Sequence, residues 1–165
     1  MDRDSYEAFA GTVGATPVWS RDLKARSTVF KDPAGVGWVL SVSYNLALKR
    51  YLLATDHEVS NRGNLGVFDA PEPWGSWTTA LYLREAESSN FGNGKLPANT
   101  FFWNFPAKWQ DPNGLDFTMV FTGSGRGKDN DSFNLIRGRY LPHKPALVSR
   151  EPEPSAPVRM PAGRR

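Results

Sequence analysis

Two pairs of neighbouring side chains, each an aromatic ring followed by a carboxamide, are the residues of this sequence best suited to contact with a ligand. They are Tyr44 with Asn45 and Trp103 with Asn104. An aromatic ring packs on the C–H faces of a sugar, and an amide meets hydroxyl groups as both donor and acceptor. The pairs therefore predict a carbohydrate-binding surface. The alternative is that the rings fill a hydrophobic core and the asparagines cap turns.

His57, which follows Asp56, is a further candidate for contact with a substrate. An imidazole there can orient a sugar hydroxyl or act in proton transfer, and the alternative is a solvated loop histidine. The second histidine, His143, is too distant in sequence to complete a metal-ligand spacing, so no metal site is predicted. Because no nucleophile elbow, phosphate loop or dinucleotide fingerprint occurs, the sequence indicates no cofactor.

Carboxylates are the groups that would decide whether a sugar is also cleaved. Glycoside hydrolysis needs two carboxyl groups on opposite sides of the scissile bond, one protonated and one ionised. The candidates are Asp56, Asp69 and Glu72. Asp69 lies beside a proline turn, where we expect it to accept backbone hydrogen bonds. Since no pair stands out, the catalytic residues stay unassigned and enzymatic activity stays open.

A proline-rich corner is the element around which the other elements are expected to be arranged. A strand over Leu65–Asp69 must end at Pro71 and Pro73, because proline fixes φ and lacks a backbone donor. Gly75 then allows a reversal between two tryptophans, and the β-rich run Trp77–Tyr82 leads away. The corner is either a packing element or a flat face suited to carbohydrate.

Further strands are predicted from short apolar runs bounded by turn residues. Fifteen glycines and thirteen prolines favour many turns over helices, so we expect an all-β fold. Turns are predicted at Asp32–Gly35 and Asp111–Gly114, and polar connections at Arg84–Ala98 and Ser124–Asp131. The predicted strands are Ser5–Gly11, Pro17–Trp19, Val39–Tyr44, Tyr51–Thr55, Thr100–Phe105, Phe117–Thr122 and Phe133–Leu141.

The strand Val39–Tyr44 has two chemically different faces. A period of two places its apolar side chains on one face and small polar ones on the other, and the polar face tolerates close approach or solvent. The apolar set is Leu40, Val42 and Tyr44, and the polar set is Ser41, Ser43 and Asn45.

Several blocks of the sequence resemble one bacterial family. They are VGWVLSVSYNLALKRYLLATDH, GNLGVFDAPEPWGSWTT, FFWNFPAKW, FTMVFTG and NDSFNLIRGRY, within about Ser5 to Tyr140. The chain resembles the C-terminal part of the family catalogued as domain of unknown function 4185. The resemblance implies a five-bladed β-propeller related to glycoside hydrolases, in a family with enzymes that cleave arabinan of mycobacterial cell walls. It also implies that the catalytic acids come mostly from earlier blades.

An internal repeat favours a propeller independently of the resemblance. Both aromatic–asparagine pairs are followed by a lysine at the same spacing, Lys49 and Lys108, with an offset of 59 residues. Each copy begins a unit of about four short strands, the size of one propeller blade. We therefore expect residues 1–148 to form two to three antiparallel four-stranded blades of a five-bladed propeller, and Ser149–Arg165 to be a disordered Pro- and Arg-rich tail.

Two or three blades cannot close a ring, because each blade buries its faces against its neighbours. The expected consequence is a fragment of a larger propeller that exposes an apolar blade face and associates with itself. Its ligand would be a carbohydrate, bound by Tyr44, Asn45, His57, Trp103 and Asn104.

The charge distribution argues against nucleic acid as a partner. The tail from Ser149 holds four arginines and two glutamates, and so carries +2 of the net charge of +3. The remaining chain is nearly neutral with interspersed signs, without the clustered basic surface that nucleic-acid binding requires.

The compartment is left open by the sequence. No run of about 18 apolar residues occurs, so no membrane span is predicted. Cysteine is absent, and the N-terminus lacks the apolar segment of a signal peptide. An extracellular or cell-envelope location would require a signal peptide on a longer protein. Three functions remain as hypotheses: a piece of a glycoside hydrolase-like propeller, a non-catalytic glycan-binding module, and a protein-interaction propeller.

Overall fold

A computed structural model of the chain describes residues 5–58, 63–84, 100–123 and 132–141. Within them the protein is all-β, as predicted. Single 3₁₀ turns occur at Leu23–Ala25 and Ala107–Trp109, and no helix in these ranges is long and apolar enough to cross a bilayer. The strands are β1 (Ala8–Val13), β2 (Thr16–Ser20), β3 (Val36–Asn45), β4 (Arg50–His57), β5 (Leu65–Ala70), β6 (Thr78–Tyr82), β7 (Phe101–Asn104), β8 (Asp116–Thr122) and β9 (Phe133–Arg139).

The strands form three antiparallel sheets in which chain neighbours are hydrogen-bonded. β1 and β2 make an N-terminal hairpin, β3-β4-β5-β6 make the central sheet, and β7-β8-β9 make the C-terminal sheet. The hairpin strand β1 runs to Val13, beyond the predicted end at Gly11, because Val13 pairs with Thr16. Gly14, with φ of 61°, lies in the left-handed region that this tight turn requires. The sequence patterns thus identified every described strand, with boundaries shifted by a few residues.

The hydrophobic core lies between the central and C-terminal sheets. Because side chains alternate across a strand, each sheet contributes only one of its faces to this core. The opposite faces of the two sheets consequently point away from each other. The core consists of Leu52, Ala54, Leu65 and Val67 from the central sheet, packed against Trp103, Phe105, Met119 and Phe121 from the C-terminal side.

The edge strand β3 places its small polar face against the C-terminal sheet. The hydroxyl of Ser41 donates a hydrogen bond of 2.5 Å to the backbone carbonyl of Trp103, which is the close approach that small side chains permit. The apolar side of the same strand is exposed instead. We call its side chains the β3 row: Val36, Trp38, Leu40, Val42 and Tyr44.

The first strand of the C-terminal sheet, β7, contains an irregularity. Phe102 has a φ of 59°, in the left-handed region that bulky residues rarely adopt. The pairing of β7 with β8 shifts between Phe101 and Asn104. Such a β-bulge changes which side chains of the strand face the partner sheet, and here it leaves Trp103 in the core.

The proline-rich corner between β5 and β6 packs against the N-terminal part of the chain. The N–H of Gly75 donates to the carbonyl of Glu72 at 3.1 Å and closes the turn. Trp74 then meets Trp19 of the hairpin edge-to-face at 6.3 Å, and Trp77 meets Phe30 at 6.2 Å. The corner therefore packs within the molecule, in agreement with one of the two interpretations that the sequence allowed.

Several predictions fall on residues 59–62, 85–99, 124–131 and 142–165, which lie outside the described part. They are the polar connection after Arg84, the link at Ser124–Asp131, and the tail Ser149–Arg165 together with His143. The boundary proposed at residue 148 also lies there.

Candidate functional site

Tyr44 and Asn45 lie at the end of β3. Asn45 is only 1% exposed, and its Oδ1 accepts a hydrogen bond of 2.8 Å from the N–H of Leu48. It thus caps the turn between β3 and β4. Tyr44 is partly exposed and packs on Tyr51 of the paired strand, with 4.9 Å between ring centroids.

Trp103 lies in the core, 1% exposed, with its ring 4.9 Å from that of Phe121. Its indole N–H donates to the Oδ1 of Asp56 at 2.8 Å. Asn104, the last residue of β7, is half-buried opposite Val120. The Trp103 ring as placed here serves the internal packing of the two sheets.

His57 is completely buried at the end of β4. Its Nε2 lies 2.7 Å from the carbonyl oxygen of Leu83. Because a carbonyl only accepts, Nε2 carries the proton in this contact. The imidazole stacks on the ring of Tyr82, with 3.7 Å between centroids and an interplanar angle of 17°. His57 therefore supports Tyr82 from the interior.

The structure brings only some of the predicted residues together. Trp103 is hydrogen-bonded to Asp56, the neighbour of His57. Tyr44 pairs with Tyr51, at the opposite end of the β3–β4 ladder from His57, which pairs with Val36. The substrate-binding role predicted for these residues and for Asn45 and Asn104 stays a prediction.

A separate cleft lies on the side of the central sheet that faces away from the core. Its volume is about 320 Å³. One wall is the segment before β3, the floor is formed by β5 and β6, and one end is closed by the proline-rich corner. We call it the aromatic cleft, and its lining residues are Val29, Phe30, Lys31, Asp32, Pro33, Phe68, Trp77, Thr79 and Tyr82.

Four aromatic rings make up the apolar lining of this cleft. Phe30 packs on Phe68 with 4.6 Å between ring centroids and meets Trp77 edge-to-face at 6.2 Å. Phe68 in turn meets Tyr82 at 6.2 Å, also edge-to-face. Gly66 lies beside this group, where an added Cβ would stand 2.8 Å from the Phe68 ring. The rings are thus held in place by one another.

Asp32 provides the acceptor of the cleft. Its Oδ2 accepts a hydrogen bond of 3.0 Å from the hydroxyl of Tyr82, and its Oδ1 accepts one of 2.9 Å from the N–H of Ala34. Each carboxylate oxygen can accept a second bond, so capacity for a ligand hydroxyl remains. Among the described residues that line the cleft, Asp32 is the one carboxylate, and Lys31 beside it is the one cation.

Trp77 contributes its ring to the lining of the cleft. Its Nε1 is buried and has no hydrogen-bond partner within the described ranges. Because this nitrogen is enclosed by protein atoms, the ring rather than the N–H is the part of Trp77 that a ligand in the cleft would meet.

The hydroxyl of Tyr82 stays protonated over the whole neutral range. Burial raises the pKa of Tyr82 to about 12, and the hydrogen bond to Asp32 acts in the same direction. The phenol therefore remains a donor to Asp32, and this bond fixes the carboxylate against the wall of the cleft.

Two of the three carboxylates named from the sequence have internal partners, whereas the third, Glu72, is exposed in the proline-rich corner. Asp69 accepts a hydrogen bond of 2.7 Å from the Nε–H of Arg50 and another from the hydroxyl of Thr78. Side chains therefore bind its carboxylate, where backbone groups were expected. Asp56 accepts from Trp103. No cluster of three His, Cys, Asp or Glu side chains able to hold a metal ion occurs in the parts of the chain that the structure describes.

Apart from Trp77, whose corner was predicted to be either a packing element or a face suited to carbohydrate, the residues of the aromatic cleft were not identified from the sequence as ligand-binding. The turn at Asp32–Gly35 was predicted, and the carbonyl of Asp32 does accept from the N–H of Gly35 at 3.0 Å. The role of Asp32 in the cleft depends on Tyr82, which is 50 residues away.

Comparisons with family models, with curated proteins and with solved structures found no match to this chain.

Proposed function

We propose that this protein is a carbohydrate-binding segment of a β-propeller and that the aromatic cleft is its ligand site. The observation that carries the proposal is the combination of four aromatic rings with the Asp32 carboxylate in one cleft. A sugar ring offers apolar C–H faces to the aromatic rings. Its hydroxyls can donate to Asp32.

The dimensions and charge of the cleft agree with a small neutral ligand. Pockets for small molecules have volumes of about 300–1,000 Å³, and the cleft, at about 320 Å³, lies at the lower end, suited to one or two sugar rings. Lys31 and Asp32 bring opposite charges to its wall, so neither a strongly anionic nor a strongly cationic ligand is favoured.

A propeller is proposed for the fold because the central and C-terminal sheets are consecutive meanders packed face to face, as neighbouring blades are. The resemblance to glycoside hydrolase-like propellers makes arabinan-type glycans the first ligands to test. Hydrolysis by this chain would require a second carboxyl group across the bound sugar from Asp32. We therefore propose binding without cleavage.

Isothermal titration with arabino-oligosaccharides and a panel of other neutral oligosaccharides tests the proposal. Asp32→Asn keeps an oxygen for the N–H of Ala34 but removes the charge that a sugar hydroxyl would meet. We expect about tenfold weaker binding, since a charge-assisted hydrogen bond contributes about 1.4 kcal/mol or more.

The matched control is Asp116→Asn, an exposed aspartate that pairs with Arg139 at 3.3 Å outside the cleft. This variant should bind like the unmodified chain. Absence of binding across the panel, or an equal loss in both variants, would contradict a ligand site in the aromatic cleft.

A second proposed function, self-association, is favoured by the β3 row. Five apolar side chains follow one another on one exposed face of an edge strand, and contiguous apolar surface of this kind marks interaction sites. We propose that copies of the chain associate through this row. Sedimentation velocity should then show a mass that rises with concentration, whereas a monomer at every soluble concentration would contradict it.

A further inference from the structure

The stacking of the two large sheets leaves one exposed row of side chains on the outward side of each sheet. On the central sheet this row lies at the edge strand β3, because the neighbouring outward side chains Leu53 and Thr55 are buried. The central sheet uses the side of Leu52 and Val67 against the side of Met119 and Phe121. The β3 row lies on the opposite side of the central sheet, because Val42 pairs with Leu53, whose side chain points away from Leu52 and Ala54. The outward side of the C-terminal sheet points the other way.

That second face carries an exposed row of its own. In β9, Ile136 pairs with Met119 and faces the core, so the alternate residues point outward. Phe133 is 65% and Leu135 56% exposed. We call the outward side chains the β9 row: Phe133, Leu135, Arg137 and Arg139.

The two rows differ in charge. The β3 row contains no charged residue, and its Trp38 is 84% exposed. In the β9 row, Arg139 pairs with Asp116, whereas Arg137 makes no ion pair with any carboxylate in the described ranges. A guanidinium over an indole face is a favourable cation–π contact, and arginine and aromatic residues are both enriched at protein interfaces.

We propose that the β3 row of one copy packs on the β9 row of the next, head to tail. This inference rests on the proposed self-association and names its two surfaces. Both rows are single strands with side chains at every second position, so apolar residues can face apolar residues while Arg137 meets Trp38. Packing of the β9 row on another β9 row would bring arginines together, and like charges across an interface are unfavourable.

Head-to-tail packing would also continue the arrangement already present within the chain. The C-terminal sheet packs on one face of the central sheet, and a β9 row on the β3 row would cover the exposed edge strand of its other side. A heterologous contact of this kind either closes into a ring or extends into a filament, depending on its rotation.

A mixing experiment with two variants of the full chain tests the proposal. Trp38→Lys places a charge on the β3 row, and Leu135→Lys places one on the β9 row. Both positions are highly exposed, so the fold should be retained, and matching circular dichroism spectra check this. Each variant alone should sediment as a monomer. An equimolar mixture should form dimers, because one intact β3 row still meets one intact β9 row.

The outcomes separate this inference from self-association itself. A monomeric unmodified chain would overturn both. If the unmodified chain associates but Leu135→Lys still does so alone, the contact joins two β3 rows and head-to-tail packing is refuted. A mixture that stays monomeric while the unmodified chain associates refutes it equally.

The sign of the charge at position 38 is a second readout. Trp38→Glu offers a carboxylate to the Arg137 of the neighbouring copy, whereas Trp38→Lys repels it. We expect the glutamate variant to associate several-fold more tightly than the lysine variant. Equal association of the two would show that Arg137 does not face this position.

Discussion

Tyr82 lies between a buried histidine and the aromatic cleft. Its ring stacks on His57 and its hydroxyl donates to Asp32. His57 is held in turn by the carbonyl of Leu83. Through these contacts a completely buried side chain sets the position of a carboxylate in the cleft, although it is shielded from any ligand. We expect His57 to act on binding only through Tyr82.

The raised pKa of Tyr82 leads to a pH-dependence of stability. The phenol ionises at about pH 10 in an unfolded chain and at about pH 12 in the folded protein. The protonated phenol therefore stabilises the folded state fully below about pH 10, and this contribution is lost as the pH rises through about 12. The free energy of unfolding should fall over this window in the unmodified chain.

Tyr82→Phe is the control, since it keeps the ring on His57 and removes the ionising group. The difference in alkaline ultraviolet titration between the two proteins should show one phenol that ionises near pH 12. Burial also raises the pKa of Tyr140, but both proteins contain Tyr140, so its ionisation cancels in the difference. A difference curve centred near pH 10 would show that the Tyr82 hydroxyl is neither buried nor bound to Asp32.

At the level of single elements, the bulge in β7 determines which residue enters the core. Phe102 adopts a φ of 59° and is followed by the buried Trp103. In β3, which has no positive φ at the matching position, Asn45 is buried and Tyr44 is exposed. The repeated aromatic–asparagine pair thus occupies similar places along two strands but faces opposite ways.

Substitutions at Phe102 should reveal this backbone conformation. A left-handed φ costs about 1–2 kcal/mol for a residue with a Cβ, and glycine avoids the cost. We expect Phe102→Val to be less stable than Phe102→Gly by about 1–2 kcal/mol in urea unfolding, because β-branched residues resist positive φ most strongly.

Phe101, with no positive φ, is the control. In a regular strand valine is favoured and glycine is unfavourable, so Phe101→Val should be more stable than Phe101→Gly. The glycine variant being the more stable one at both positions, or the valine variant at both, would argue against the bulge.

The sequence identified the strands because their signals are local. The strand into the corner begins at Leu65 as predicted, and Pro71 ends it. The bulge at Phe102 has no such signal, since phenylalanine is a poor residue for positive φ and predicts a regular strand. The aromatic cleft was missed for a different reason: Asp32 and Tyr82 meet only after two parts of the chain 50 residues apart have packed together.

At the level of the whole molecule, the aromatic cleft exists only where three parts meet. Phe30 and Asp32 come from the segment before β3, Tyr82 from the central sheet, and Trp77 from the proline-rich corner. On this side of the central sheet Leu53, Thr55 and His57 are buried, and the aromatic cleft and the β3 row are accessible. The ligand and the β3 row's contact with a second copy would consequently use different parts of one sheet face.

The indole N–H of Trp77 is the most direct probe of the proposed ligand site. The chain has six tryptophans, so its nitrogen–proton correlation spectrum should show six indole signals, and Trp77→Phe identifies the relevant one. The Leu135→Lys background, expected to be monomeric, suits the measurement. On titration with an arabino-oligosaccharide or a binding neutral glycan, we predict that the Trp77 signal shifts while those of Trp38 and Trp109 stay in place. A bound glycan that leaves the Trp77 signal unchanged would contradict the assignment of the aromatic cleft as the carbohydrate site.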